Sequence, residues 1–398
     1  MKKFLERLIE GLLMISSTAT TITVLLIILF LFREGISVFN SSPLEGNNTI
    51  AVSRGNKVNA ITPEQIKDIT DGKIVKWSSL GGDTTTIRLI TFNDLEDFFT
   101  ESELGSGFEH LPARLDSMIG SDAGVLAIFP DKYLKESNRA KIISIPPVGL
   151  RDFIFGRQWF PTSHPAVQLG VWPLITGTLV VSFIAILIAL PIGLSAAVYM
   201  AEVADQRMRN FLKPVIELLA GIPSVVYGFF GLIVVVPFIQ DVFGLPVGET
   251  ALAGSLLLAI MALPTIITVS EDALRNTPRA MKEASLALGA NRWQTILRVS
   301  LPYSISGISA AAILGIGRAI GETMAVLMVT GNAAIMPSSL LQPVRTIPAT
   351  IAAELGEAPQ GGVHYKALFT LGCILFIMTL IINLTVEFIS GNRNLKKK

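Results

Sequence analysis

The chain is 398 residues long, 51% hydrophobic and 16% charged, with a formal net charge of +1. A soluble domain carries about 25% charged residues, so that class is excluded, and so is a nucleic-acid binder, which needs a basic face to neutralise phosphates. A single cysteine, Cys373, excludes a disulfide framework, and the scattered His110, His164 and His364 offer no clustered ligands, so no metal site is expected.

Apolar runs of about 20 residues are expected to span a bilayer. Six occur, near Leu12–Phe32, Trp172–Met200, Val215–Ile239, Ala251–Ser270, Ser304–Gly331 and Ala367–Phe388. The first follows MKKFLERL and has some marks of a signal peptide. It is long for one and lacks a small-residue cleavage site before Arg33, so a retained anchor is expected. Basic residues fall in four places: Lys2, Lys3 and Arg7; Arg207, Arg209 and Lys213; Arg275 to Arg298; and the tail GNRNLKKK. Six spans with both termini cytoplasmic put all four on one side, as the positive-inside rule requires. The other side receives a long loop from Glu34 to about Val171 and a shorter one from Asn332 to about Lys366.

Most of the long loop has element signals. TPEQIKDITDG is expected to be a helix opened by Thr62 and Pro63, and TTIRLITF, GVLAIFP and KIISIPP read as strands. The expected fold class is therefore an all-α polytopic membrane protein of six helices carrying an extracytoplasmic α/β insert. The expected divisions are 1–33 for the amino terminus and first span, 34–165 for the insert, and 166–398 for the remaining membrane part.

In the third span, Gly221 and Pro223 interrupt the helix and free backbone groups, which only a cavity or a neighbouring helix can satisfy. Ser224 and Tyr227 follow on the next turn, placed either to line a polar path or to pack a kink. Glu271 and Asp272, near the cytoplasmic exit of the fourth span, read as a solvated helix end.

NTPRAMKEASLALGANRWQTILRVSLP then reads as two short helices on the cytoplasmic side. Thr277 is placed to cap the first, Pro278 to open it and Gly289 to stop it; Asn291 is placed to cap the second, which yields near Pro302. Such a segment suits either a groove on another protein or a berth among lipid headgroups.

The fifth span holds Arg318 and Glu322, one helical turn apart and able to pair. At 1.5 Å per residue Arg318 lies about 22 Å into the span, near mid-membrane, where a charge costs about 2.5–3.5 kcal/mol even on a lenient scale. Two readings stand: an ion pair that locks helices, or an anion waypoint on a permeation path. Thr323 follows on the same stretch, and Gly317 and Gly321 form a small-xxx-small pair that lets a helix approach closely. GIGRAIG is no nucleotide fingerprint, and no G-x-x-x-x-G-K-[ST] loop occurs, so ATP hydrolysis is not expected of this chain.

Two resemblances sharpen these readings. Glu283-Ala284-Ser285, Gly289 and Val299-Ser300-Leu301-Pro302 resemble the EAA signature of ABC importer permeases, with serine for the second alanine and valine for isoleucine. That resemblance implies a coupling segment at 276–302 that docks on a separate ATPase, with Glu283, Ala284, Ser285, Gly289, Leu301 and Pro302 as the matching residues. GIGRAIGETMAVLMVTGN resembles the phosphate ABC transporter permeases of PstC type, and so do LLAGIPSVVYGFFGL, MALPTIITVSEDALRNTP and TIPATIAAELGEA. It implies that Arg318 and Glu322 serve phosphate translocation; Ser224, Tyr227 and Thr323 are expected on the same path from their own positions.

The implied partners are a PstA-type permease, two copies of a PstB-type ATPase, a PstS-type phosphate-binding protein and membrane lipid, with no nucleic acid. No cofactor is implied in this chain; ATP and magnesium belong to the ATPase. ITPEQIKDITDGKIVKWSSLGG and SDAGVLAIFPDKYL are similar to one lobe of phosphate-binding proteins, although GSGFE keeps only Ser106 and Gly107 of their Ser-Gly-Thr turn. The insert is therefore expected to be a degenerate receptor lobe or a plain structural cap. The location implied is the inner membrane. The alternatives are a permease for molybdate or sulfate, and a membrane sensor with an external ligand lobe.

Overall fold

The computed structural model describes residues 2–44, 48–105, 107–134 and 139–395. Ser106 and the last three lysines lie outside the described residues, as do the side chains of Lys2, Lys3 and Arg7 and of the rest of the tail. Two compact units emerge: Met1–Val171 with Glu357–Thr370, and Trp172–Gly356 with Leu371–Lys398.

The first unit opens with helix α1 (Lys2–Ile36) and continues into an α/β fold. Its main sheet has four strands, β1 (Asn48–Ser53), β2 (Arg88–Thr91), β3 (Val125–Pro130) and β4 (Ala140–Ile143), in the order β2-β3-β1-β4, and a separate short pair joins Trp159–Phe160 to Gln168–Leu169. β2 runs parallel to β3, while β1 is antiparallel to both β3 and β4. Three of these strands match the expected segments; β1, from NTIAVS, is an addition. Helix α2 (Pro63–Thr70) starts where expected, with Thr62 and Gln65 closing a reciprocal capping box. Helix α3 (Leu111–Ser121) buries Leu111, Leu115 and Ile119, each four residues from the next, on one face of the sheet.

On the opposite face Trp77 is fully buried among Ile50, Val52, Ile61 and Leu126, and its indole N–H donates to the Gly124 carbonyl at 3.2 Å. Trp77→Ala is expected to lower the stability of this unit by about 3–5 kcal/mol. Amide hydrogen exchange along β3 checks it, because these strand amides are protected by the global fold.

The second unit is helical. Its elements are α4 (Trp172–Val198), α5 (Gln206–Gly221), α6 (Ser224–Phe243), α7 (Ala251–Arg275), α8 (Arg279–Ala287), α9 (Arg292–Tyr303), α10 (Ile305–Gly321), α11 (Met324–Val329) and α12 (Ile347–Glu354). The last helix of the chain is α13 (Val363–Leu395). α7 is central: Leu257, Leu258, Met261 and Ile266 form one core with Val181 and Ala185 of α4, Ala319 of α10 and Val326 of α11. Close approach depends on glycine at two positions. A Cβ at Gly193 would stand 2.7 Å from Ile266, and one at Gly228 would stand 2.7 Å from the Met328 sulfur and 3.0 Å from the Ala325 Cα.

Among the described residues five helices are long and apolar enough to cross a membrane, and a sixth crossing is completed if α9 and α10, bent by 69° at Ser304, count as one. Two expected spans are corrected. The third does not run from Val215: α5 ends at Gly221, Ile222 and Pro223 are extended, and the apolar span is Ser224–Phe243. The fifth is not one helix to Gly331, because Glu322 takes extended dihedrals (φ −70°, ψ 131°) between α10 and α11. In both places the apolar pattern ran on through residues whose backbone leaves the helix, and hydropathy alone does not register that.

Candidate functional site

The break after Gly321 decides the geometry around Arg318. Because α10 stops there, Glu322 no longer sits one turn above Arg318. Among the described residues no ion pair joins them, which corrects the expected pairing. The half-buried Arg318 instead directs Nη1 to the Thr265 hydroxyl on α7 at 3.4 Å. The Glu322 carboxylate turns to the start of α11 and accepts the Ala325 N–H at 3.4 Å, satisfying a backbone donor that a helix start leaves open. Thr323 donates its hydroxyl to the Gly321 carbonyl at 3.2 Å and lines a shallow cavity with Pro348, Ile351 and Leu375. A Cβ at Gly317 or Gly321 would meet nothing within 4 Å, so within this chain that face of α10 is open.

The second break faces the same region. Tyr227, buried on α6, donates its hydroxyl to the Leu219 carbonyl at 2.9 Å, taking up a backbone group that the Gly221–Pro223 interruption frees. The Arg318 guanidinium lies within electrostatic reach of that hydroxyl. Ser224 is the first residue of α6 and half-buried, with its neighbour Gly221 facing open space. The structure thus brings Arg318 to Thr265, packs Tyr227 into the core that holds Ala319 and Ala325, and places Glu322 and Thr323 at the break after α10. Irregular backbone within an apolar span is tolerated where it lines a cavity or is covered by protein, and the chain has two such breaks, at Ile222–Pro223 and at Glu322.

At the carboxyl end of α7 the segment 276–302 is laid out as two short helices. Gly289 has φ +86° and open space around it, so it provides the left-handed stop after α8. Asn291 and Gln294 close a capping box at the start of α9. Thr277 does not cap α8: it is buried, and its hydroxyl shares a hydrogen bond of 3.2 Å with Ser304, which itself donates to the Ala273 carbonyl at 2.8 Å. Burial between two helix ends outweighs capping at that position. Ser285 and Thr295 are joined at 3.0 Å, fixing α8 against α9. Glu283 and Ala284 are exposed, as are the apolar side chains of Met281, Leu286, Leu288 and Trp293; Leu288 is 89% exposed. Leu301 packs on a small core with Leu274 and Ile308, and Pro302 follows it in the last turn of α9.

Two residues carry more than their sequence positions suggested. Thr265, next to Pro264, provides the hydrogen bond to Arg318; a polar residue beside a helix-breaking proline in an apolar run was the available signal. Glu271 is 1% exposed, not solvated, and is met by Arg209 at 2.8 Å, Lys213 at 3.4 Å and Arg275 at 3.7 Å. Its neighbour Asp272 remains 60% exposed, so one of two adjacent carboxylates faces inward.

A helical bundle with five or six apolar spans, a half-buried arginine in one of them and two exposed short helices after α7 fits a multi-pass membrane component. Residues 189–392 match the family of binding-protein-dependent transport system inner membrane components, and the chain belongs to that family. It is 40% identical over 242 residues to a probable ABC transporter permease, YqgH, of Bacillus subtilis, covering 61% of this chain and 78% of that protein. It is 37% identical over 250 residues to the phosphate transport system permease protein PstC of Mesorhizobium japonicum, covering 58% and 75%. Among solved structures, the MetNI methionine ABC transporter in an inward-facing conformation aligns at a TM-score of 0.45 and 21% identity, covering 56% of this chain and 97% of that one.

Proposed function

We propose that the chain is the transmembrane permease subunit of an ATP-driven phosphate importer, forming half of the translocation path beside a sister permease. The observation that carries this reading is Arg318. It is a cation at membrane depth whose nearest expected carboxylate is engaged elsewhere, on a helix face left open within this chain. Such a group selects for an anion, and relatives carrying the phosphate permease name support phosphate as that anion. ATP and magnesium belong to two copies of a separate ATPase, which engages the exposed segment around Glu283 and Leu288. The chain itself holds no cofactor.

The basic residues of the termini and of the α5 and α8–α9 regions support a cytoplasmic position for those parts and an external one for the α/β unit. That unit is a degenerate receptor lobe that receives or docks the phosphate-binding protein. The cleft at the carboxyl ends of parallel β2 and β3, the usual ligand position in such sheets, is lined by Asn48, Thr91, Asn93, Asp94 and His164 with no lysine or arginine. Asp94 also takes the Thr91 N–H at 3.0 Å and its hydroxyl at 2.7 Å, so a carboxylate occupies donors that an oxyanion would need.

Competition distinguishes the cargo. In vesicles holding the full complex, excess sulfate or molybdate is expected to leave labelled phosphate uptake within about twofold, whereas unlabelled phosphate suppresses it, since discrimination at a built polar site is steep. Suppression by sulfate or molybdate at equal concentration would favour another oxyanion permease. The sensor alternative has no observation in its favour.

A further inference from the structure

The proposed importer needs a link between the coupling segment and the Arg318 region, and one buried carboxylate lies between them. Helix α5 has no buried residue, and its outward side exposes Phe211 at 66% and Leu218 at 72%. What fastens it to α7 is charge. Arg209 and Lys213 both reach the Glu271 carboxylate, and Lys213 also reaches Asp272 at 3.7 Å. Glu271 stands four residues before Arg275, the end of α7, and only Asn276, Thr277 and Pro278 separate that end from α8. A second ion pair, Lys282 to Glu202 at 2.7 Å, ties α8 to the turn after α4, so the coupling helix is not loose either.

At its other end α5 stops at Gly221, where a Cβ would meet nothing within 4 Å, and the chain passes through extended Ile222 and Pro223 into α6. Tyr227 bridges that bend to Leu219 and packs in the same core as Ala319, the residue next to Arg318. The parts are those of a lever: an amphipathic helix, an open bend beside the arginine, and an ionic clasp at the far end next to the coupling segment.

We infer that Glu271 is a positioning residue for transport, the clasp through which displacement of the coupling helix moves α5 and so reshapes the path at Tyr227 and Arg318. A buried carboxylate serves this better than apolar packing because it binds two cations directionally and tolerates neither loss nor replacement by a neutral group. Coupling of this kind needs an element with two arrangements whose balance both sites bias, and the Gly221–Pro223 bend provides the freedom. This inference rests on the permease reading but is tested apart from the cargo.

Glu271→Gln, Glu271→Asp and the double variant Arg209→Gln with Lys213→Gln are to be compared in the reconstituted complex. Glu271→Gln and the double variant are expected to lower uptake roughly tenfold or more while subunit co-purification and ATP hydrolysis stay within about twofold; Glu271→Asp, which keeps the charge, retains most uptake. Uptake unchanged by Glu271→Gln would overturn the inference. So would uptake, hydrolysis and assembly falling together in Glu271→Gln and Glu271→Asp alike, the mark of a merely structural group.

The second measurement needs no cargo. With Cys373 replaced by serine, spin labels at Leu218 and Leu288, both exposed, report the distance from α5 to the coupling segment in the full chain in nanodiscs. Glu271→Gln is expected to broaden that distribution, and an unchanged distribution would contradict the clasp. If the wild-type complex accumulates no phosphate, the importer reading fails, while the distance measurement still judges Glu271.

Discussion

Arg318→Ala is expected to abolish phosphate uptake while the complex still assembles and the ATPase still docks. A hydrogen bond to a charged group contributes about 1.5–3 kcal/mol, which is roughly a factor of ten to a hundred per contact. A guanidinium that offers two donors to a passing oxyanion thus accounts for at least about a hundredfold in rate. The fold has little at stake, because Arg318 is half-buried and its one described hydrogen bond, to Thr265, is long at 3.4 Å. Arg318→Lys keeps the charge but loses the planar fork, so it is expected to fall between wild type and alanine. Uptake by vesicles, read beside co-purification of the subunits, separates this from the packing explanation, under which Arg318→Ala dissociates or unfolds the complex.

The second large effect is expected at the coupling segment, and it is of the opposite kind. Leu288 is 89% exposed at the end of α8, touching little of its own chain. Leu288→Asp is therefore expected to leave the membrane bundle intact and to weaken ATPase binding by about 2 kcal/mol or more, the scale of an interface hot spot, roughly thirtyfold. Gly289→Val is expected to act on the same surface by a different route. At φ +86° a β-branched residue is strained by about 1–2 kcal/mol, so the turn between α8 and α9 reshapes and α8 with Leu288 shifts against Trp293 of α9. Titration of the purified ATPase against the permease in detergent reads both effects. Retained binding with either variant would place the docking surface elsewhere.

These two sites differ in how much of them was legible in the sequence, and the reason is physical. The coupling segment is built from local signals: Asn291 and Gln294 sit three residues apart, and Gly289 marks a left-handed stop, so capping and backbone chemistry predict its shape. The same holds for α2, opened by Thr62 and Pro63, and for β2, β3 and β4. The Arg318 site is not local. Spacing placed Arg318 and Glu322 on one helical face, and the backbone at Glu322 removes that premise. Gly321 and Pro223 are the visible traces of the two breaks, yet hydropathy reads across both because the flanking residues stay apolar.

Glu271 shows the same limit from the other direction. Beside Asp272 at the end of a span it had every mark of a solvated carboxylate, and its burial depends on Arg209 and Lys213, more than fifty residues away in sequence. Long-range charge partners leave no periodic trace. Thr277 failed as a cap for a related reason, since Ser304 on the following helix draws it into the interior. Local rules held where solvent surrounds the chain and gave way where another element supplies a partner.

Under the proposed importer reading, force is expected to enter at α8 and to reach the Arg318 region through α7, which borders α8 at its carboxyl end and contacts Arg318 through Thr265. In that reading ligand handling and motor attachment share one long helix, Ala251–Arg275, with Thr265 near its middle and Arg275 at its end, and it is the most buried of the candidate spans. A rigid central helix suits that part, because a displacement at one end is felt at the other.

The most direct test is vectorial. Sealed vesicles reconstituted with this chain, a sister permease, the ATPase and a phosphate-binding protein are loaded with ATP on the ATPase side and given labelled phosphate outside. The account predicts accumulation against a gradient that requires ATP, the binding protein and Arg318 together. Phosphate that only equilibrates, or accumulates equally well without ATP or with Arg318→Ala, would contradict it.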